Sequence, residues 1–135
     1  MASIHKERTI EASPDHVWAA LRDWGALHER LVPGFVVETK LDGDDRIVTF
    51  FNGAVARERL VDLDEDECRL VWSIVDGPYT HHNGAAQVHA NDDGTTRFVW
   101  VADLLPNELA QITGELMERG ADTIKKTLEA SAPLG

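Results

Sequence analysis

Residues 96–131 read TRFVWVADLLPNELAQITGELMERGADTIKKTLEAS. The opening of this stretch, 96–104, alternates. Phe98, Trp100 and Ala102 fall on one face and Val99 and Val101 on the other, which is the two-residue period of a strand. Pro106 then precedes Asn107, an N-cap residue type, and Glu108 stands in what becomes the first turn of a helix. From there Leu109, Ile112, Leu116, Met117, Gly120, Ile124 and Leu128 recur every three or four residues, marking one apolar stripe. Ser131-Ala132-Pro133 ends the pattern. The helix expected here covers about 24 residues, or roughly 36 Å at 1.5 Å per residue. A helix with only one apolar face needs a surface to bury it against, and upstream of it the sequence is mostly strand.

Working back from position 96, the period stays at two. Strands are expected over 79–90, 69–75, 55–63, 46–52 and 35–41. They are separated by Asn91-Asp92-Asp93-Gly94, by Asp76-Gly77-Pro78, by the acidic turn Asp64-Glu65-Asp66-Glu67, by Gly53 and by Asp42-Gly43-Asp44-Asp45. Nearer the start, 4–11 reads as a strand with Ile4 and Ile10 on one face. Ser13-Pro14-Asp15 is a compact helix start, with Ser13 as N-cap and Pro14 in the first helical position. That helix carries Val17, Trp18, Ala20 and Leu21 and weakens at Trp24-Gly25. A second short helix follows over 26–31 and stops at Pro33-Gly34. One strand, two short helices, six sequential strands and a long helix make an α+β pattern. With no repeat and no linker, 1–135 is expected to form a single domain.

Composition narrows the function classes. Thirteen Lys and Arg against 24 Asp and Glu give a net charge of −11, with no basic cluster. Nucleic acid and anionic lipid surfaces repel such a chain at long range. No apolar run approaches the roughly 18–20 residues that span a bilayer, and MASIHKERTIEA lacks the apolar core of a signal peptide. Cys68 is the one cysteine and has no internal disulfide partner, which fits a reducing, cytoplasmic setting. Its place beside an acidic turn disfavours a thiolate and so a nucleophilic role. No G-x-S-x-G, Walker A or G-x-G-x-x-G pattern occurs, and no cofactor is expected. The six histidines lack metal-ligand spacing: His81 and His89 share a strand face but stand about 27 Å apart. No metal site is expected.

The order of elements resembles the helix-grip fold of the SRPBCC superfamily, which holds START domains, birch-pollen-type allergens and polyketide cyclase/dehydrase proteins. The resemblance runs from Ile4 to Leu128. Its local marks are Glu11-Ala12-Ser13-Pro14-Asp15-His16-Val17-Trp18 and Trp100-Val101-Ala102-Asp103-Leu104-Leu105-Pro106. It implies a seven-stranded curved antiparallel sheet wrapped around the long C-terminal helix, with the two short helices after strand 1. It also implies a cavity between sheet and helix for a small, largely apolar molecule, aromatic or polyketide-like. Such a molecule is either converted by cyclase or dehydratase chemistry or only bound, as in a carrier or sensor. A co-chaperone-type interaction module of the same superfamily is a further alternative, marked by a large exposed apolar patch.

The stretch Arg46-Ile47-Val48-Thr49-Phe50-Phe51-Asn52-Gly53, with Glu58-Arg59-Leu60 after it, is similar to the sub-branch of plant abscisic-acid receptors and lachrymatory-factor synthase. There an arginine of the third strand and a glutamate of the fourth point into the cavity, and Arg46 and Glu58 match them. Where that branch has a tyrosine, this chain has His82-Asn83-Gly84. Alternation puts Arg46, Val48, Phe50 and Asn52 on one face, and Ala56, Glu58 and Leu60 on one face of the next strand. Inside, the carboxylate needs a partner or a raised pKa. Outside, Arg46 is solvated by its hairpin and Glu58 pairs with Arg57 or Arg59. Arg46, Glu58 and His82 are the candidates for polar or proton-transfer work. Phe50, Asn52, Trp72, Asn83, Trp100, Met117 and Gly120 are the candidates for ligand contact. The tryptophans serve equally as core. Gly120, on the helical stripe, marks either close backbone approach or room left for a ligand.

Overall fold

Ser13, Pro14 and Asp15 do what their chemistry favours. Ser13 Oγ accepts the His16 N–H at 3.2 Å, Pro14 opens α1 (Pro14–Leu21), and Asp15 sits in its first turn. This helix follows β1 (Ala2–Ile10) in the computed structural model, which describes residues 1–133. The second short helix proves irregular: a 3-10 turn over Trp24–Ala26 runs into a π turn over Leu27–Leu31. Then come β2 (Val36–Asp42), β3 (Asp45–Phe50), β4 (Val55–Asp64), β5 (Arg69–Ile74), β6 (His81–Ala90) and β7 (Thr96–Leu105). Another 3-10 turn, Asn107–Leu109, leads into α2 (Ala110–Ser131).

The seven strands form one antiparallel sheet in the order β1-β7-β6-β5-β4-β3-β2. β2 to β7 follow one another as a meander, and β1 closes on β7. The β2–β3 hairpin pairs Asp42 with Asp45 across a two-residue loop, and Gly43 at its first position has φ 61°. That backbone conformation strains an L side chain and is free for glycine. Register shifts between Val36 and Glu38 and between Leu60 and Asp62 insert extra residues into β2 and β4. Such bulges bend and twist a sheet, here into a concave face that receives α2.

α2 buries Thr113, Met117, Gly120, Ala121, Ile124 and Leu128, close to the stripe expected from the sequence. Its first turn differs. Asn107 lies in the 3-10 turn instead of capping an α-helix. Ile112 is 57% exposed, because within α2 Thr113 stands four and seven residues before Met117 and Gly120 and continues their line, while Ile112 falls beside it. Thr113 takes the inward position, where Tyr79 Oη satisfies its hydroxyl at 2.7 Å. Across the β1 edge, Lys6 Nζ meets Glu118 and Arg8 Nε meets Asp122, both at 2.9 Å. Exposed pairs of this kind add little stability singly, but they lay the helix along β1. Phe98, Ile10, Leu70, Leu104, Leu128 and Val17 are fully buried and form the solid part of the core. Among the described residues, no helix is long and apolar enough to cross a membrane.

Candidate functional site

The concave face and α2 do not meet everywhere. They leave a cavity of about 120 Å³, walled by Phe50, Trp72, Phe98 and Trp100 from the sheet and by Leu116 and Met117 from α2. Leu27, Leu31, Val32 and Phe35, from the segment after α1, also line it, as does Tyr79 from the loop before β6. Small residues make the room. Gly84 pairs with Trp72 on one side and Ala102 on the other, and Ala86 pairs with Trp100. A Cβ at position 84 would come within 2.7 Å of the Trp72 ring, so the indole occupies the place of the missing side chain. Trp72 and Trp100 then stand 6.2 Å apart, centroid to centroid.

Two charges lie in this apolar wall. β3–β4 register sets Arg46 opposite Glu58, both on the concave face, and their side chains are only 5% and 8% exposed. Arg46 Nε donates to Glu58 Oε1 at 2.8 Å, and Nη2 lies 2.8 Å from the same oxygen. Nη1 donates to the Trp24 carbonyl at 3.2 Å, and the guanidinium stacks on the Trp24 ring, 3.6 Å from its centroid. Burial pushes the Arg46 pKa down, while the charge and hydrogen bond of Glu58 oppose that shift. The outward alternative is taken by other residues: Arg57 and Arg59 both pair with Asp45, not Glu58. Among the described residues, no donor reaches Glu58 Oε2.

His82 completes the polar set. Its Nδ1 accepts the Ile74 N–H at 3.1 Å, so the neutral ring carries its proton on Nε2. Burial, then the neighbouring His81, pushes its pKa down to about 4, with Asp103 opposing. His82 is therefore neutral near pH 7, and it offers a donor while its other nitrogen is already engaged. The fully enclosed polar atoms without a partner among the described residues are Trp24 Nε1, His28 Nδ1 and Thr39 Oγ1. Glu58 Oε2 and His82 Nε2 are not among them, so each keeps some accessible surface, and both residues line the cavity.

Three candidates fall elsewhere. Asn52 lies beyond the end of β3, exposed in the turn, where its Oδ1 accepts the Ala54 N–H at 3.1 Å. Alternation no longer applies there. Asn83 follows the inward His82 in β6 and so points to the outer face, its backbone opposite Asp103. Gly120 is a seat for aromatic rings: a Cβ there would lie 3.0 Å from Trp100 and 3.4 Å from Phe35. Gly120→Leu is accordingly expected to displace Trp100 and destabilise the protein by about 1–3 kcal/mol through overpacking. A thermal melt checks this, and an unchanged melting temperature would mean the rings give way freely. Conversely, Trp24, Tyr79 and Thr113 belong to the site although no apolar period marks them: Trp24 and Tyr79 come from connecting segments, and Thr113 is a polar residue at an inward helical position. Cys68 stays outside it, its thiol pKa raised by burial and by Glu65, Asp15, Asp64 and Glu67.

Solved structures share this architecture. The protein XoxI of Bacillus cereus aligns with a TM-score of 0.84 at 21% identity, covering 98% of this chain and 100% of its own. A START superfamily protein of Mycobacterium smegmatis aligns at 0.79 and 12% identity, covering 95% and 97%. Norcoclaurine synthase of Thalictrum flavum, in complex with dopamine and hydroxybenzaldehyde, aligns at 0.74 and 19% identity, covering 98% and 89%. At such identities the likeness establishes the fold alone. No curated protein matches the sequence significantly. A family model does, over residues 1–130, and its description is polyketide cyclase / dehydrase and lipid transport. With nearly the whole chain matched and a grip of sheet on helix around an apolar cavity, the protein belongs to that polyketide cyclase/dehydrase and lipid transport family.

Proposed function

We propose that this domain encloses one small, largely apolar molecule beneath α2 and holds a polar atom of it against the Arg46–Glu58 pair. The observation that carries this reading is the pair itself, buried in a largely apolar cavity wall. A buried ion pair is expensive to desolvate, and an apolar pair of similar volume stabilises a core as well or better. A carrier that needed only a greasy interior would be served by such an apolar pair. Retaining the charges supports recognition of a polar group, or a proton transfer in a water-poor site. Cyclase or dehydratase chemistry would use Glu58 Oε2 as proton acceptor, with the aromatic walls holding the substrate in a reactive shape. A sensor that binds without turnover would use the same contacts.

Native mass spectrometry of the purified protein tests the binding. An adduct of one small molecule that is lost on denaturation is expected. A protein that carries no adduct and takes up no apolar dye would mean that the space under α2 is merely incomplete packing.

A further inference from the structure

The cavity's polar groups are matched to a definite kind of ligand. Arg46 and Glu58 cancel in charge, and the neutral His82 adds none, so the site has no net charge to offer a carboxylate or an ammonium. Among the described residues, Glu58 Oε2 is an acceptor without a donor, and His82 Nε2–H is a donor without an acceptor. The two are not adjacent. Glu58 pairs with Ile74 across β4–β5, and His82 holds the Ile74 N–H from the next strand. They therefore stand two strands apart, about 9–10 Å between backbones. Both belong to residues that line the cavity, with Trp72 and Trp100 in the wall as flat apolar surfaces. An apolar cavity of about 150 Å³ holds a benzene ring, so the 120 Å³ here suits a compound of about single-ring size.

Resting on the binding reading above, we infer that the ligand is a neutral single-ring compound with polar atoms on opposite sides. One is a hydroxyl-type donor directed at Glu58, and the other a carbonyl-type acceptor directed at the Nε2–H of His82. The same polarity orders any chemistry. Glu58 is the group able to take a proton, and His82 polarises an oxygen without serving as a base, because its Nδ1 is held by backbone. A ligand presented the other way round would set an acceptor against a carboxylate.

Isothermal titration with shape-matched probes tests this. 4-Hydroxyacetophenone carries the donor and the acceptor. 4-Ethyltoluene nearly matches its outline, one heavy atom smaller, and carries neither; 4-hydroxybenzoate is its anionic counterpart and 4-hydroxybenzylamine its cationic one. Each satisfied hydrogen bond is expected to give about tenfold in affinity. 4-Hydroxyacetophenone should therefore bind at least about tenfold more tightly than 4-ethyltoluene and both charged probes. His82→Phe should remove about tenfold more from its affinity than from that of 4-ethyltoluene. Nitrogen NMR of the wild-type imidazole ring, which needs no variant, should show the proton on Nε2. Equal affinities across the panel, or a proton on Nδ1, would overturn the inference while leaving a binding cavity in place. If no probe binds, including 4-ethyltoluene, the binding reading itself fails.

Discussion

Glu58→Gln is expected to lower the free energy of unfolding by about 3–5 kcal/mol, the usual effect of stranding one member of a buried ion pair. The change keeps the side chain's shape and removes only its charge. Arg46 would then keep the Trp24 carbonyl and the Trp24 ring as partners, and no other carboxylate is paired with it among the described residues. For a chain of this length the loss corresponds to roughly ten degrees or more in melting temperature. A pair exposed to solvent would lose less than about 1 kcal/mol, so a melt near that of wild type would overturn the burial of this pair. The companion variant separates stability from recognition. Arg46→Met combined with Glu58→Leu replaces the pair by apolar volume and is expected to regain most or all of the lost stability. It should nevertheless not recover binding of a ligand with a hydroxyl donor. Recovery of both would show that the pair serves packing alone.

Acid is expected to weaken the fold in two steps, the first of them due to His82. In the unfolded chain this imidazole protonates near 6.5, whereas in the folded protein burial delays protonation to about 4. Between those values the unfolded state binds the extra proton, so stability falls as pH falls through the window and levels off below it. The gap corresponds to roughly 3 kcal/mol at 1.36 kcal/mol per pH unit. A second window lies lower. Asp45 is held down to about 2 from 3.8 by hydrogen bonds from Arg59 and then Arg57, so its contribution is present above 3.8 and is lost as pH falls toward 2. Denaturant midpoints measured across pH separate the two, and His82→Gln should flatten the upper window alone. A stability profile already flat between pH 6.5 and 4 in the wild type would mean that His82 is not held neutral by burial.

Much of the frame was legible because backbone periods are local. Alternation marks β7 whatever packs on it, and Gly43 marks a hairpin because few other residues accept its φ. The three- and four-residue recurrence from Met117 to Leu128 marks a helical face in the same way. Ile112 shows the limit of that logic. Its apolar character fits the stripe, yet it lies off the line through Met117 and Gly120, and Thr113 takes the inward place, with Tyr79 supplying the hydrogen bond that makes a buried hydroxyl tolerable. Asn52 and Asn83 show another limit, since alternation ends with the strand and excludes neighbours of an inward residue.

The amino-acid sequence by itself determined which residues share a face: Arg46 with Val48 and Phe50, and Glu58 with Ala56 and Leu60. It left open which face is concave, because a two-residue period defines two sides of a strand and is silent on which is covered. Only the tertiary structure decided that Arg46 and Glu58 point inward. Partners remote in the chain make that placement tolerable: the Trp24 carbonyl and ring for Arg46, and Asp45 to occupy Arg57 and Arg59 outside. The cavity was decided in the same way. It exists because the Trp72 indole fills the gap above Gly84 and Trp100 rests on Gly120. Both are contacts between strands or between sheet and helix, and a glycine in a sequence does not state which ring will lie against it.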